Sequence, residues 1–236
     1  MKGHYCWNCG QKANVKRLQM KEILEEFFLS PLHIHPHGLL FTFIWLFKAP
    51  GTVIRKYVKG ERKLLHPAFR YLVLAGTFST IVIAIYHPFE MVDGASGVLF
   101  VEPEFFTWVS GHVTVINLVA VPIFAFGTYL LFKPSKFNYA ENLTMQAYVA
   151  SQQLWILVLF FPVFQFAPFL DEYINQFYSI ITVIYNIYVV MHFFKMVNFI
   201  GFLLSILAYA YAILIQFGVT YFYYSYFSHH VAFSIH

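Results

Sequence analysis

The sequence predicts an all-α, polytopic membrane protein: a helical bundle of about five transmembrane helices behind a small polar head with interfacial helices. Three observations carry this. Hydrophobic residues make up 59% of the 236 residues and charged residues only 11%, with a mean hydropathy of +0.62. A soluble domain is nearer half apolar and a quarter charged, and so short a chain cannot bury the surplus in its own core. Five segments are apolar and long enough to cross a bilayer core, which takes about 20 residues of helix. All 15 Lys and Arg fall on one side of those segments. The same composition excludes a disordered chain, and two cysteines exclude a disulfide-built scaffold.

The first 30 residues are polar and lack the basic, apolar and small-residue succession of a signal peptide, which predicts an N-terminus on the cytoplasmic side. Residues 1–66 read as a head and residues 67–236 as the membrane bundle. Met20, Ile23, Leu24, Phe27 and Phe28 recur at helical spacing, with Lys21, Glu22, Glu25 and Glu26 on the other face. This is an amphipathic helix that packs on the head or lies on the bilayer. The apolar run 39–47 is too short to span and reads as interfacial or re-entrant. Spans follow at 68–86, opened by Pro67, at 113–132, at 149–169, where Pro162 should introduce a kink, at 177–194 and at 199–222. Trp108, Trp155, Tyr173 and the tyrosines of 221–226 lie near span ends, where amphipathic rings suit the interface. The excess of Phe reads as lipid-facing bulk.

Charge sets the expected orientation. With the N-terminus inside, the cations from Lys2 to Arg70 precede or enter the first span, Lys133 and Lys136 fall in the second inside loop, and Lys195 falls at the third inside turn. The outside loops carry Glu90, Asp93, Glu102, Glu104, Asp171 and Glu172 without a cation. This positive-inside pattern predicts a multi-pass protein with its N-terminus in and its C-terminus out.

The head holds the candidate metal chemistry. Cys6-Trp7-Asn8-Cys9-Gly10 is a CxxCG knuckle: two thiolates three positions apart can grip one tetrahedral metal, and Gly10 permits the tight turn after them. A structural zinc site needs four ligands, so this is half of one. His4 is one candidate to complete it; His33, His35 and His37 are others, and a second subunit could supply two more thiolates. Zinc is the candidate cofactor, against a reduced or redox thiol pair, and the histidines also suit simple contact with headgroups. Arg55, Lys56, Lys59, Arg62, Lys63 and Arg70 form a basic run before the first span, opposed only by Glu61. Each cation adds about 1 kcal/mol of attraction to an anionic leaflet, so anionic lipid headgroups are the expected partner and nucleic acid is not.

Within the spans no Asp, Glu, Lys or Arg sits near a centre, which speaks against a proton-coupled transporter or ion pump. The intramembrane polar residues singled out are Gln152, Asn186, His192 and Gln216, expected to hydrogen-bond between helices or, alternatively, to line a path for a neutral solute. Tyr178, Tyr185 and His192 recur on one face of the fourth span. His87 and His112 lie at the opposite depth from His192, which disfavours haem ligation. No nucleophile-elbow, zincin, phosphate-loop or dinucleotide motif occurs. Glu141, in the expected inside loop, is the acid best placed to contact the basic juxtamembrane segment.

Several pieces together resemble a bacterial family of integral membrane proteins of unknown function: Tyr5-Cys6-x-x-Cys9-Gly10-Gln11, the run 27–38 leading into 39–47, Pro50-Gly51-x-x-Ile54-Arg55-x-Tyr57-x-x-Gly60-x-Arg62, Pro67-x-x-Arg70-Tyr71-Leu72 and, later, Asn138-Tyr139-Ala140-Glu141-Asn142-Leu143. The resemblance covers about residues 4–75 and implies a zinc-ribbon-like start, a multi-span domain and a bacterial inner membrane, with no catalytic residues. A looser likeness, in span number and orientation alone, is to Yip-type five-span proteins. The resulting expectation is a non-enzymatic scaffold, accessory subunit or membrane-organising factor with a metal-binding head and a protein partner or a second copy of itself. The alternatives are a transporter or channel for a neutral or apolar solute and a metal-dependent enzyme at the membrane surface.

Overall fold

The computed structural model describes residues 15, 17–29, 36–86, 105, 108–109, 111–166 and 171–233. Its helices are α1 (Met20–Leu29), α2 (Pro36–Lys48), α3 (Pro50–Val58), α4 (Ala68–Tyr86), α5 (Val113–Leu131), α6 (Tyr139–Phe166), α7 (Asp171–Phe194) and α8 (Phe199–Phe233), with a 3₁₀ turn at Lys133–Ser135. No strand occurs among the described residues. The helices α4 to α8 are long and apolar enough to cross a membrane, and α2 is a shorter apolar helix. The protein is thus a multi-pass helical membrane protein.

The first, second, fourth and fifth expected spans lie within α4, α5, α7 and α8, apart from Phe132 just beyond α5. The third differs: α6 begins ten residues earlier than the apolar run. Of residues 138–143, expected to form a loop, Asn138 caps the helix and 139–143 are its first turns. A reciprocal capping box starts it, in which the Glu141 amide donates to Asn138 Oδ1 at 2.8 Å and the Asn138 amide donates to Glu141 Oε2 at 2.7 Å. These turns read as a loop because Glu141, Asn142, Thr144 and Gln146 are polar, yet all four are buried. Pro162 lies inside α6 and Pro122 inside α5.

Helix α6 is the axis of the bundle. Its apolar window is 67% buried, against 22–39% for the other spans. Helices α4, α5 and α7 pack around it, and α8 packs on α5 and α7. Around it Tyr57 meets Tyr148 edge-on at 5.4 Å, and Phe78 lies 5.4 Å from Trp155. The exposed side chains of α8, among them Leu214 and Phe222, are those a lipid-facing helix needs.

The described part of the N-terminal region joins this same core. Leu18, Ile23, Leu46, Val53, Ile54, Tyr57, Val58 and Leu65 are buried in one cluster with Val189, Phe193 and Phe194 of α7. Helix α1, left between two placements by its pattern, enters the cluster through Ile23, while Met20 and Leu24 remain exposed.

Candidate functional site

One end of the bundle gathers α1–α3 and the connections α5–α6 and α7–α8. Arg17 anchors its outer edge. Its Nε donates to Glu141 Oε1 at 2.8 Å and its Nη2 to Glu141 Oε2 at 2.7 Å, a two-pronged pair, while Nη2 also reaches the Lys136 carbonyl. Glu141 holds the Arg17 guanidinium above its ordinary pKa, chiefly through that hydrogen bond. The Asn138 side chain donates to the Leu18 carbonyl at 2.8 Å beside it. Glu141 thus contacts a cation, but the partner is Arg17 rather than the juxtamembrane run, because α6 starts early and turns Glu141 toward residues 17–18.

A second fastening joins α3 to α7. Gly51 lies so close to α7 that an added Cβ would stand 2.5 Å from the His192 carbonyl carbon. Arg55 donates through Nη1 to the His192 and Phe193 carbonyls and through Nη2 to Thr52 Oγ1. These carbonyls belong to the C-terminal turn of α7, where orphan acceptors and the negative end of the helix dipole favour a cation. Burial lowers the Arg55 pKa from its usual value, though guanidinium stays charged. The turn itself is closed by a Schellman motif, with Met196 N–H on the Met191 carbonyl, Lys195 N–H on the His192 carbonyl and Lys195 at φ +57°. Helix α3 ends the same way, with Glu61 N–H on the Lys56 carbonyl and Gly60 at φ +107°.

Helix α3 has no counterpart among the elements expected from sequence. Its signals were Pro50 at the first turn, Gly60 just past the end, and Val53, Ile54, Tyr57 and Val58 on one buried face. The six cations of the basic run consequently diverge. Arg55 turns inward. Lys56 faces Glu61 at 3.6 Å. Arg62 lies over the Tyr57 ring at 5.6 Å. Lys59 and Lys63 are exposed, and Arg70 is half-buried at the start of α4.

Of the proposed metal ligands, Cys6, Cys9, His4, His33 and His35 lie outside the described residues. His37 is exposed in the first turn of α2. Among the described residues no group of three or more His, Cys, Asp or Glu could hold a metal ion.

Of the four intramembrane polar residues, Gln152 and Gln216 bond between helices. Gln152, fully buried on α6, accepts from Tyr71 Oη of α4 at 2.8 Å and donates to the Phe43 carbonyl of α2 at 3.3 Å. Gln216 of α8 donates to the Ile116 carbonyl of α5 at 3.0 Å. Gln153 of α6 donates to the Thr182 carbonyl of α7, and Tyr185 of α7 donates to the Leu46 carbonyl of α2. His192 Nδ1 lies 2.8 Å from the Tyr188 carbonyl on its own helix, and Asn186 is buried.

Between α2, α3 and the turn after α3 lies a groove of about 370 Å³. Phe41, Trp45, Ala49, Val53, Leu64 and Leu65 form its walls, and Thr52, Lys56, Glu61 and Lys63 complete its lining. The charged side chains are exposed and so mark its open side. Lys48 adds a cation 6.0 Å above the Trp45 ring. A second cavity, nearer Arg17, is bordered by Lys59, Ser135, Lys136 and Glu141.

Residues 37–80 match the model of a family described as "Protein of unknown function (DUF3667)". The matched stretch holds nearly all of α2, all of α3, the first part of α4 and every residue lining the groove. It includes the 39–47, 50–62 and 67–72 pieces of the resemblance and leaves out the Cys6–Cys9 piece. No curated protein and no solved structure matches the chain.

Proposed function

We propose that this chain is a non-enzymatic membrane scaffold, accessory subunit or membrane-organising factor. Its five-span bundle is the anchor, and the end built by α1–α3 is the working surface. That end faces the cytoplasm of a bacterial cell and engages anionic lipid headgroups. Cys6 and Cys9, completed by His4 or by His33, His35 and His37, hold zinc in a head that docks a protein partner or a second copy of the chain.

One observation carries this reading. Gln152 and Gln216 spend their side chains on bonds between helices, whereas exposed cations and exposed apolar side chains meet around α2 and α3. Amides engaged in this way support the bundle as an anchor rather than as a solute path. The test is the lipid retained by the protein after extraction in mild detergent. Wild type should carry anionic phospholipid enriched over the source membrane, and Lys56→Gln/Lys59→Gln/Lys63→Gln should lose the enrichment. Retained lipid of bulk composition in both proteins would contradict it.

A further inference from the structure

We propose that the groove between α2 and α3 is a binding site for one acyl chain of an anionic phospholipid, whose phosphate is met by Lys56 and Lys63. This rests on the reading that the α1–α3 end engages anionic lipid, and deepens it from diffuse attraction to a defined site.

The position of the groove suits an amphiphile. Its wall α2 exposes Leu40, Ile44, Trp45 and Phe47, all between 38% and 60% accessible, directly before Lys48. A helix that leaves such residues uncovered next to a terminal lysine belongs at the depth where hydrocarbon gives way to headgroups. Its opposite wall is the turn after α3, which carries Glu61 and Lys63 and leaves Leu64 63% exposed. The groove therefore runs from lipid-facing apolar surface to charge within a few residues.

Its size and charge select the occupant. At about 370 Å³ it lies at the small end of ligand pockets, enough for a length of single chain rather than a whole lipid. Its lining is apolar apart from Thr52 and the charged residues. Lys56, Lys63 and neighbouring Lys48 outnumber Glu61, the one acid of the lining among the described residues, so the open side favours an anion over a zwitterion. Trp45 in the wall provides a built-in reporter, and Lys48 over its ring couples it to the charged side.

The experiment places the full chain in phosphatidylcholine vesicles with a small fraction of either brominated phosphatidylglycerol or brominated phosphatidylcholine. Quenching that disappears in Trp45→Phe is the Trp45 component. Brominated phosphatidylglycerol should quench that component about thirtyfold more effectively than brominated phosphatidylcholine at equal low fraction, the factor expected for the net two cations that Lys48, Lys56 and Lys63 leave over Glu61. Lys56→Gln/Lys63→Gln should bring the two lipids level. Ala49→Phe, which fills the groove, should remove the preference while leaving the lysines in place. Should Ala49→Phe fail to fold, Thr52→Phe fills the same groove from an exposed position. Equal quenching by both lipids overturns the proposal, and so does a preference that survives filling. Absence of Trp45 quenching by either lipid overturns it in favour of a protein segment covering the groove. If filling leaves the preference intact and purified protein still retains anionic lipid, the groove fails and the headgroup reading stands. If retention fails as well, both fail.

Discussion

Removing Arg17 should harm the protein more than neutralising Glu141. Glu141 is buried, with 5% of its side chain accessible, whereas Arg17 is 56% accessible. In Arg17→Ala a carboxylate remains inside the α6 cap, where the Asn138 amide is its one remaining donor among the described residues. Breaking a buried pair by removing one partner costs about 3–5 kcal/mol, and exposed pairs contribute about 1 kcal/mol at most. For this one-sided pair we expect Arg17→Ala to cost about 2–3 kcal/mol, because water reaches the vacated side. Glu141→Gln leaves the capping box intact, since Gln serves at that position, and strands only a solvated guanidinium, for about 1 kcal/mol. The double substitution should cost less than the sum of the singles. In a chain of this size each kcal/mol moves the midpoint by about 2–4 °C, so thermal unfolding in detergent resolves the order. Limited proteolysis should show cleavage near α1 rising first in Arg17→Ala. Equal shifts for the two single substitutions, or strict additivity, would refute the argument that burial of Glu141 sets the energetics.

Other consequences can be measured with similar means. Gly51→Ala should destabilise by about 3 kcal/mol or more, because its Cβ would overlap the backbone of α7 and force α3 away; loss of the folded fraction on size exclusion checks this. Tyr71→Phe should cost about 1 kcal/mol by removing the donor to Gln152, a change of a few degrees in midpoint. Metal analysis of wild type beside Cys6→Ser/Cys9→Ser should give one zinc per chain, lost in the double variant; one zinc per two chains would instead mean a site shared between copies.

The spans were legible where apolar residues run unbroken: the expected 68–86 coincides with α4, and α5 ends one residue before its expected limit. Legibility failed where burial comes from tertiary contact rather than composition. The first turns of α6 read as a loop because Glu141, Asn142 and Gln146 look solvated in sequence, and only the packing of neighbouring segments covers them. Helix α3 was hidden by its charges: Arg55, Lys56 and Lys59 drew attention to the membrane surface and away from the Pro50 and Gly60 that bracket it. The direction taken by a long cation is likewise invisible in sequence. Hydropathy and charge alone treat Arg55 and Lys56 alike, yet one caps α7 and the other lines the groove. The groove needs residues from 41 to 65 brought together by two helices and a turn, and no local spacing announces it.

Amide hydrogen exchange across residues 52–65, in phosphatidylcholine vesicles with and without phosphatidylglycerol, tests most directly whether the α1–α3 end is the working surface. Anionic lipid should slow exchange in α3 and the turn after it, and high salt or Lys56→Gln/Lys63→Gln should erase the effect, while α6 exchanges as before. Identical exchange in both vesicles, or slowing spread evenly over the spans, would contradict the account.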